Sequence, residues 1–78
     1  MSIAMDNTSL LERITIIQGL CSGEPTIRGM RLRVANILEA MAEGASRKEL
    51  LGSYPDLEDA DISAALLYAA ELTLKSAA

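Results

Sequence analysis

The sequence predicts a mainly α-helical domain, with a helix-turn-helix pattern behind a short extended arm. Three observations predict it: an apolar stripe of helical period that begins at Val34, a capping sequence at Ser46, and a run from Asp59 to Lys75 without glycine or proline. The chain has 78 residues, which is enough for one small domain. A domain of this size buries little more than about 60% of its unfolded surface, so assembly with another chain would strengthen it.

The arm is predicted from the N-terminal part of the chain. Arg13–Gln18 is rich in β-branched residues, which favours a short strand. Gly19–Met30 contains three glycines and a proline and is too broken for a regular element. Met30–Val34 has the composition of a second extended piece that can pair with the first. Gly29 is expected at a point where a side chain would not fit.

Two helices follow the arm. The first carries one apolar stripe at i, i+3, i+4, i+7 and i+8, formed by Val34, Ile37, Leu38, Met41 and Ala42. Gly44 lies just past its end and is a natural terminator. Ser46 and Glu49 have the spacing of a capping box, which predicts the start of a second, short helix. A helix, a turn with glycine and a capped helix have the spacing of a helix-turn-helix.

The third predicted helix, Asp59–Lys75, is apolar on two faces. One stripe consists of Ile62, Ala65, Leu66, Ala69 and Thr73, and a second, displaced around the helix, of Leu67, Ala70 and Leu74. Two short helices cannot cover both stripes, so we expect a homodimer whose interface includes Leu67, Tyr68, Ala70 and Leu74. The predicted core is Ile37, Leu38, Met41, Leu50, Ile62 and Leu66.

The net charge is −4, but the charges are unevenly distributed. Three arginines and no acid lie between Pro25 and Leu38, namely Arg28, Arg31 and Arg33. They could hold nucleic-acid phosphates, or pair with carboxylates such as Glu39, Glu43 or an acid of a partner chain. Acids at the start of the third helix would repel a nucleic-acid backbone. The residues alone leave both interpretations open.

Catalytic patterns are missing from the sequence. It has no histidine, and its single cysteine, Cys21, has no candidate base beside it. Glu58, Asp59 and Asp61 lack the glycine and the closing glutamate of a calcium loop, and no phosphate-binding glycine motif occurs. We therefore predict a protein that is not an enzyme and that carries no metal or cofactor. The role of Cys21 stays open.

The expected location is the cytoplasm. No uncharged run approaches the roughly 20 residues that span a bilayer. The N-terminus lacks a basic region followed by an apolar core, so no secretory signal is expected. A single cysteine favours a reducing compartment.

Several short motifs occur in an order and at a spacing that resemble the domain-of-unknown-function 433 (DUF433) family, over about Leu11 to Leu72. The positions that fall on its signature are Ile27, Arg28, Gly29, Arg31, Ser46, Glu49, Tyr54, Pro55, Leu57, Asp61 and Ile62. Four positions depart from it, among them Met30, where the family usually has threonine, and Arg33, where proline is common. Glu24 stands where the family usually has lysine, and Glu58 where threonine often caps the third helix, so Asp56 is expected to cap instead.

The resemblance implies a homeodomain-like three-helix domain behind an extended arm, and a dimer. It divides the chain into an N-terminal extension, residues 1–10, and an antitoxin-like helix-turn-helix domain, residues 11–75. Family members look like antitoxins, so the expected function is to bind and occlude a PIN-like toxin, with operator DNA as an additional candidate partner. The alternatives are a free-standing DNA-binding regulator and a structural or adaptor dimer that binds no DNA. Glu24 and the acidity of the chain favour a structural or protein-binding role for Arg28 and Arg31.

Overall fold

The computed structural model of the chain describes residues 7–76. Within them the chain is mainly helical, with a two-stranded antiparallel sheet near the N-terminus, which confirms the predicted fold class. The elements, in order, are α1 (Asn7–Leu11), β1 (Ile14–Thr15), a 3₁₀ turn (Cys21–Gly23), β2 (Thr26–Ile27), α2 (Val34–Ala42), α3 (Arg47–Ser53) and α4 (Asp59–Ser76). No helix in this part of the chain combines the length and the hydropathy that a bilayer span requires.

Helix α4 is the centre of the fold, because α1, β1, α2 and α3 all pack against it. Helix α1 was not predicted from the sequence, and it crosses the predicted boundary between the extension and the domain. Residues 1–6 of the predicted extension lie outside the described residues. Because four elements contact α4, its side chains have several different environments along the helix.

The hairpin differs from the prediction in its second strand. Ile14 pairs with Ile27 and Thr15 with Thr26, so the partner of the first strand is Thr26–Ile27. The prediction of a strand over Met30–Val34 is wrong. Within this segment only Arg33 pairs with another residue as in a sheet, in an isolated bridge to Thr26. The reason is a turn directly after Ile27, in which the Ile27 carbonyl accepts a hydrogen bond from the Met30 amide at 2.8 Å. This turn ends the strand Thr26–Ile27 and directs the following residues away from β1.

Gly29 lies in that turn, but not for the expected reason. A side chain there would meet only Ile17 Cδ1, at 3.9 Å, which is an ordinary contact. Its φ is +72°, a left-handed conformation that glycine adopts at low cost. The position is therefore set by backbone conformation and not by lack of space.

The predicted ends of α2 and α3 are confirmed. Gly44 follows α2 with φ +105°, and its amide donates to the Met41 carbonyl. The Ser46 hydroxyl accepts from the Glu49 amide at 3.1 Å, and the Glu49 carboxylate accepts from the Ser46 amide at 2.8 Å. This is the reciprocal capping box that the spacing predicted.

The start of α4 corrects a prediction. Asp56 was expected to cap the helix, yet its side chain makes no hydrogen bond within the described residues. Asp61 reaches back instead, and its Oδ2 accepts from the Glu58 amide at 2.9 Å. This is the reverse half of a capping box, because Asp61 is the third residue of α4 and Glu58 directly precedes the helix.

The core contains half of the predicted set. Ile37, Leu50 and Ile62 are buried as predicted, whereas Leu38 and Met41 only pack against the core from partly buried positions. The prediction for Leu66 is wrong, since it is 40% exposed. α4 is rotated so that its inward face is formed by Asp61, Ile62, Ala64 and Ala65. The other buried apolar residues are Ile27, Leu32, Val34 and Leu57.

Candidate functional site

Two arginine side chains, those of Arg13 and Arg28, meet at one buried carboxylate, that of Asp61. It has no solvent exposure. Arg28 donates two hydrogen bonds to it, from Nε to Oδ1 at 3.0 Å and from Nη2 to Oδ2 at 2.9 Å. Arg13 Nη1 donates to Oδ1 at 2.9 Å and also to the Glu58 carboxylate at 2.8 Å. We call Arg13, Arg28 and Asp61 the arginine–aspartate cluster.

The hairpin holds Arg28 in place for this contact. Arg28 directly follows β2, its amide donates to the Arg13 carbonyl at 2.8 Å, and its φ is +45°. The neighbouring strand pair is fixed by hydroxyls: Thr15 and Thr26 share a hydrogen bond at 2.8 Å, and the Gly29 amide donates to the Thr15 hydroxyl at 2.9 Å. A left-handed conformation at a residue with a Cβ is strained, so these bonds stabilise a turn that the residue alone would not adopt.

Arg28 also ties the hairpin to the loop before α4. Its Nη2 donates to the main-chain carbonyl of Asp56 at 2.8 Å. One side chain thus fixes the hairpin turn, the loop between α3 and α4, and the first turn of α4 relative to each other.

Opposing effects set the pKa of Asp61. Burial raises the pKa, but hydrogen bonds from Arg28, the Glu58 amide and Arg13 lower it more, so the pKa lies below its ordinary value. The pKa of Arg28 is raised, chiefly by its hydrogen bonds to Asp61, and that of Arg13 is raised by its bonds to Glu58 and Asp61. All three groups are therefore charged at neutral pH.

The three arginines of the predicted binding segment have three different environments. Arg28 belongs to the arginine–aspartate cluster, so its acid is Asp61 and not Glu39 or Glu43. Arg33 pairs with Glu24 at 3.1 Å at a partly exposed site. Arg31 is exposed and makes no hydrogen bond or ion pair with any described residue. Their role as a partner- or DNA-binding set stays a prediction.

The predicted dimer residues lie along the outer and lateral faces of α4. Ala70 and Leu74 are exposed, Leu74 at 71%, while Leu67 and Tyr68 are half-buried, and Tyr68 packs against the core. Leu66 continues the exposed side, because Leu66, Ala70 and Leu74 follow one another at four-residue intervals. A part of the predicted interface is therefore exposed apolar surface, and its contact with a second subunit stays a prediction.

An apolar groove lies between α2 and α4. Its volume is about 330 Å³, and Leu72, 49% exposed, is part of its wall. The other residues that line it are Glu24, Pro25, Val34, Ala35, Leu38, Tyr68, Ala69 and Thr73. Leucines are thus exposed on more than one side of the C-terminal half of α4.

A second ion pair fastens α3 to α4. Arg47 Nη1 donates to the Asp59 carboxylate at 2.8 Å, and its Nη2 donates to the Ser63 hydroxyl at 3.0 Å. Lys48, the next residue, is exposed and has no partner among the described residues.

A family model for a protein of unknown function, DUF433, matches residues 14–69. The chain belongs to this family. A crystal structure of a DUF433 member protein from Anabaena variabilis is similar to it, with 35% identity and a TM-score of 0.76, over 87% of this chain and 67% of that one. No curated protein matches the chain. The family predicted from the motifs is confirmed, and the antitoxin role stays a prediction.

The part of the DUF433 chain that matches the family model contains Arg28 and Asp61, whereas Arg13 lies one residue outside it. Arg28 was predicted as a binding residue, whereas Asp61 was placed on the family signature and among the acids at a helix start, with no partner predicted for it. One signal could have found Asp61: it lies four residues before Ala65, on the stripe that faces the core. Arg13 carried no comparable signal, because it was assigned to a strand.

Cys21 of the DUF433 chain lies in a tight turn, with φ +49°, and is half-buried. Ser22 follows with φ +58°, so two successive residues are left-handed. Among the described residues no group of three or more acidic or cysteine side chains is placed to hold a metal ion.

Proposed function

We propose that this DUF433 protein is an antitoxin-like binding protein, which acts by covering a PIN-like toxin and not by catalysis. The observation that carries the proposal is the combination of exposed apolar surface on α4 with arginines that are already paired inside the chain. Leu66, Leu72 and Leu74 are all at least 40% exposed. Leu66 and Leu74 lie on one side of α4 with Ala70 between them, and an exposed apolar patch of this kind is typical of a protein-binding site.

Operator DNA is the less favoured partner. Arg28 and Arg33 each bind a carboxylate of their own chain, so Arg31 is the arginine of the segment that has no ion pair with the described residues. Glu58 and Asp59, at the start of α4, have side chains more than half exposed. Both acids are paired, with Arg13 and Arg47, so the start of α4 presents no excess positive charge to the phosphates that a recognition helix must approach.

The same surface supports a homodimer. Ala70 lies between Leu66 and Leu74 on the exposed side of α4, so a second copy of the chain can pack its α4 against these residues. A domain of this size gains much from such packing, because its own core is small.

Two experiments test the proposal. Light scattering at tens of micromolar should give the mass of a dimer, and Ala70→Arg should give a monomer with unchanged helicity. Ala42→Arg, at an exposed alanine of α2, is the matched control and should stay dimeric. A wild-type monomer at these concentrations contradicts the dimer.

The second experiment is co-expression with the product of the adjacent gene. We expect that protein to be a nuclease-like toxin, to co-purify with this chain, and to lose its activity in the complex. DNA binding is followed in parallel over a range of salt concentrations. A strong, salt-sensitive complex with operator DNA and no complex with the neighbouring protein would refute the proposal in favour of a DNA-binding regulator.

A further inference from the structure

A small cleft lies beside Arg31, on the side of the molecule where the hairpin turn faces the loop before α4. Its volume is about 200 Å³. We call it the Arg31 cleft. Its apolar lining includes Met30, Leu32, Tyr54 and Leu57, and its charged groups are Arg31 and Asp56.

The guanidinium of Arg31 is available for a ligand. Arg13, Arg28, Arg33 and Arg47 each bind a carboxylate within the chain. Arg31 is exposed and binds none among the described residues. Among the residues that the structure describes, it is also the one cation that lines the cleft.

Arg28 holds the cleft open in a fixed shape. It lies at the start of the turn that carries Met30 and Leu32, and it donates to the Asp56 carbonyl on the opposite wall at 2.8 Å. Leu32 and Leu57, one from each wall, are buried at 8% and 6% exposure. Both walls are therefore fixed before any ligand arrives, which lowers the entropic cost of binding.

We propose that the Arg31 cleft binds a carboxylate side chain of a partner protein together with an adjacent aliphatic side chain. The inference rests on the proposed function and names how the partner is recognised. A volume of about 200 Å³ is below the range of about 300–1,000 Å³ typical of small-molecule sites, and suits one or two side chains. The carboxylate accepts hydrogen bonds from Arg31, and the aliphatic group packs against the apolar walls.

Asp56 decides between a carboxylate and a phosphate group. Its carboxylate makes no hydrogen bond within the described residues, so it adds a negative charge to the cleft. Next to one aspartate, one arginine gives the cleft no excess positive charge, so nothing offsets the second charge of a phosphate or its larger cost of desolvation, whereas a singly charged carboxylate needs only Arg31. The apolar walls likewise offer nothing to a nucleic-acid backbone.

The test is an NMR titration of the full chain with two blocked peptides, acetyl-Gly-Leu-Asp-Gly-amide and its Asn counterpart. We expect the Asp peptide to shift the amides of 30–32 and 54–57, and the Asn peptide to bind about tenfold more weakly. Arg31→Gln should abolish the difference between the peptides, and Asp56→Asn should tighten the Asp peptide. Lys48→Gln, which removes an exposed cation outside the cleft, is the control and should bind as the wild type does.

Several results would overturn the cleft as a carboxylate site. The cleft is not such a site if these amides do not shift, if the two peptides bind equally, or if the Asp peptide still binds to Arg31→Gln. It is also not one if inorganic phosphate binds more tightly than the Asp peptide at equal ionic strength. Well-dispersed spectra of the variants check that they are folded.

The adjacent gene product separates this inference from the proposed function. If that protein binds the wild type, a loss of affinity with Arg31→Gln supports the cleft as its docking point, and unchanged affinity refutes it. If that protein does not bind the wild type, the proposed function fails, and the peptide titration still decides whether the cleft binds a carboxylate.

Discussion

Replacement of Asp61 by asparagine tests the central electrostatic feature of the fold. The substitution keeps the shape of the side chain but removes the charge that Arg13 and Arg28 share. Loss of one partner from a buried ion pair costs about 3–5 kcal/mol. The side chains of Arg13 and Arg28 are 26% and 33% exposed, so water can solvate both guanidinium groups in the variant. We therefore expect Asp61→Asn to lower the free energy of unfolding by about 3 kcal/mol.

This loss is a large part of the free energy of unfolding of a typical domain, which is about 5–15 kcal/mol. It corresponds to a melting temperature lower by about 12–24 °C, at about 4–8 °C per kcal/mol. Urea denaturation followed by circular dichroism, at equal chain concentration, measures the change in the free energy of unfolding. Asp59→Asn is the control, because its ion pair with Arg47 is exposed and worth about 0–1 kcal/mol. An Asp61→Asn protein as stable as that control would refute the reasoning.

Three further predictions concern pH, the core and the helix ends. Because folding lowers the pKa of Asp61, the carboxylate contributes fully to stability above its ordinary pKa, and this contribution is lost as the pH falls through the lowered pKa. The difference in free energy of unfolding between wild type and Asp61→Asn, measured in urea titrations, should therefore stay constant from neutral pH to about pH 5 and shrink below about pH 4. A difference that grows on acidification would contradict this. In the monomeric Ala70→Arg background, Ile62→Ala should cost about 2–5 kcal/mol and Leu66→Ala no more than about 1 kcal/mol in thermal melting, since only Ile62 is fully buried within one chain. Equal losses would mean that the rotation of α4 is wrong. Ser46→Ala should cost about 1 kcal/mol in urea denaturation, whereas Ser53→Ala, at an exposed position, should be nearly neutral.

The three main helices, both ends of α2 and the start of α3 were predictable from the sequence. The stripe from Val34, the glycine at position 44 and the Ser46–Glu49 pair act over a few residues, so their effect is nearly independent of the rest of the chain. The family was also predictable, because its motifs are short and ordered along the chain.

The sequence did not determine which strand completes the hairpin or which way α4 faces. Composition made Met30–Val34 as plausible a strand as Thr26–Ile27, and the choice depended on a left-handed turn at Arg28 and Gly29. Two apolar stripes on α4 allowed more than one rotation. Packing of α1, which was not foreseen, and of α2 against α4 left Leu66 partly exposed and buried Ala64 and Ala65.

The candidate site was half predictable. Arg28 and Arg31 stood out as cations in an acidic chain, but nothing local distinguishes an arginine that binds a partner from one that binds its own chain. Arg28 meets Asp61 across 33 residues and Arg13 meets it across 48. Only the tertiary structure brings these groups together, because a buried carboxylate is stable only where folding supplies enough donors to offset its loss of water.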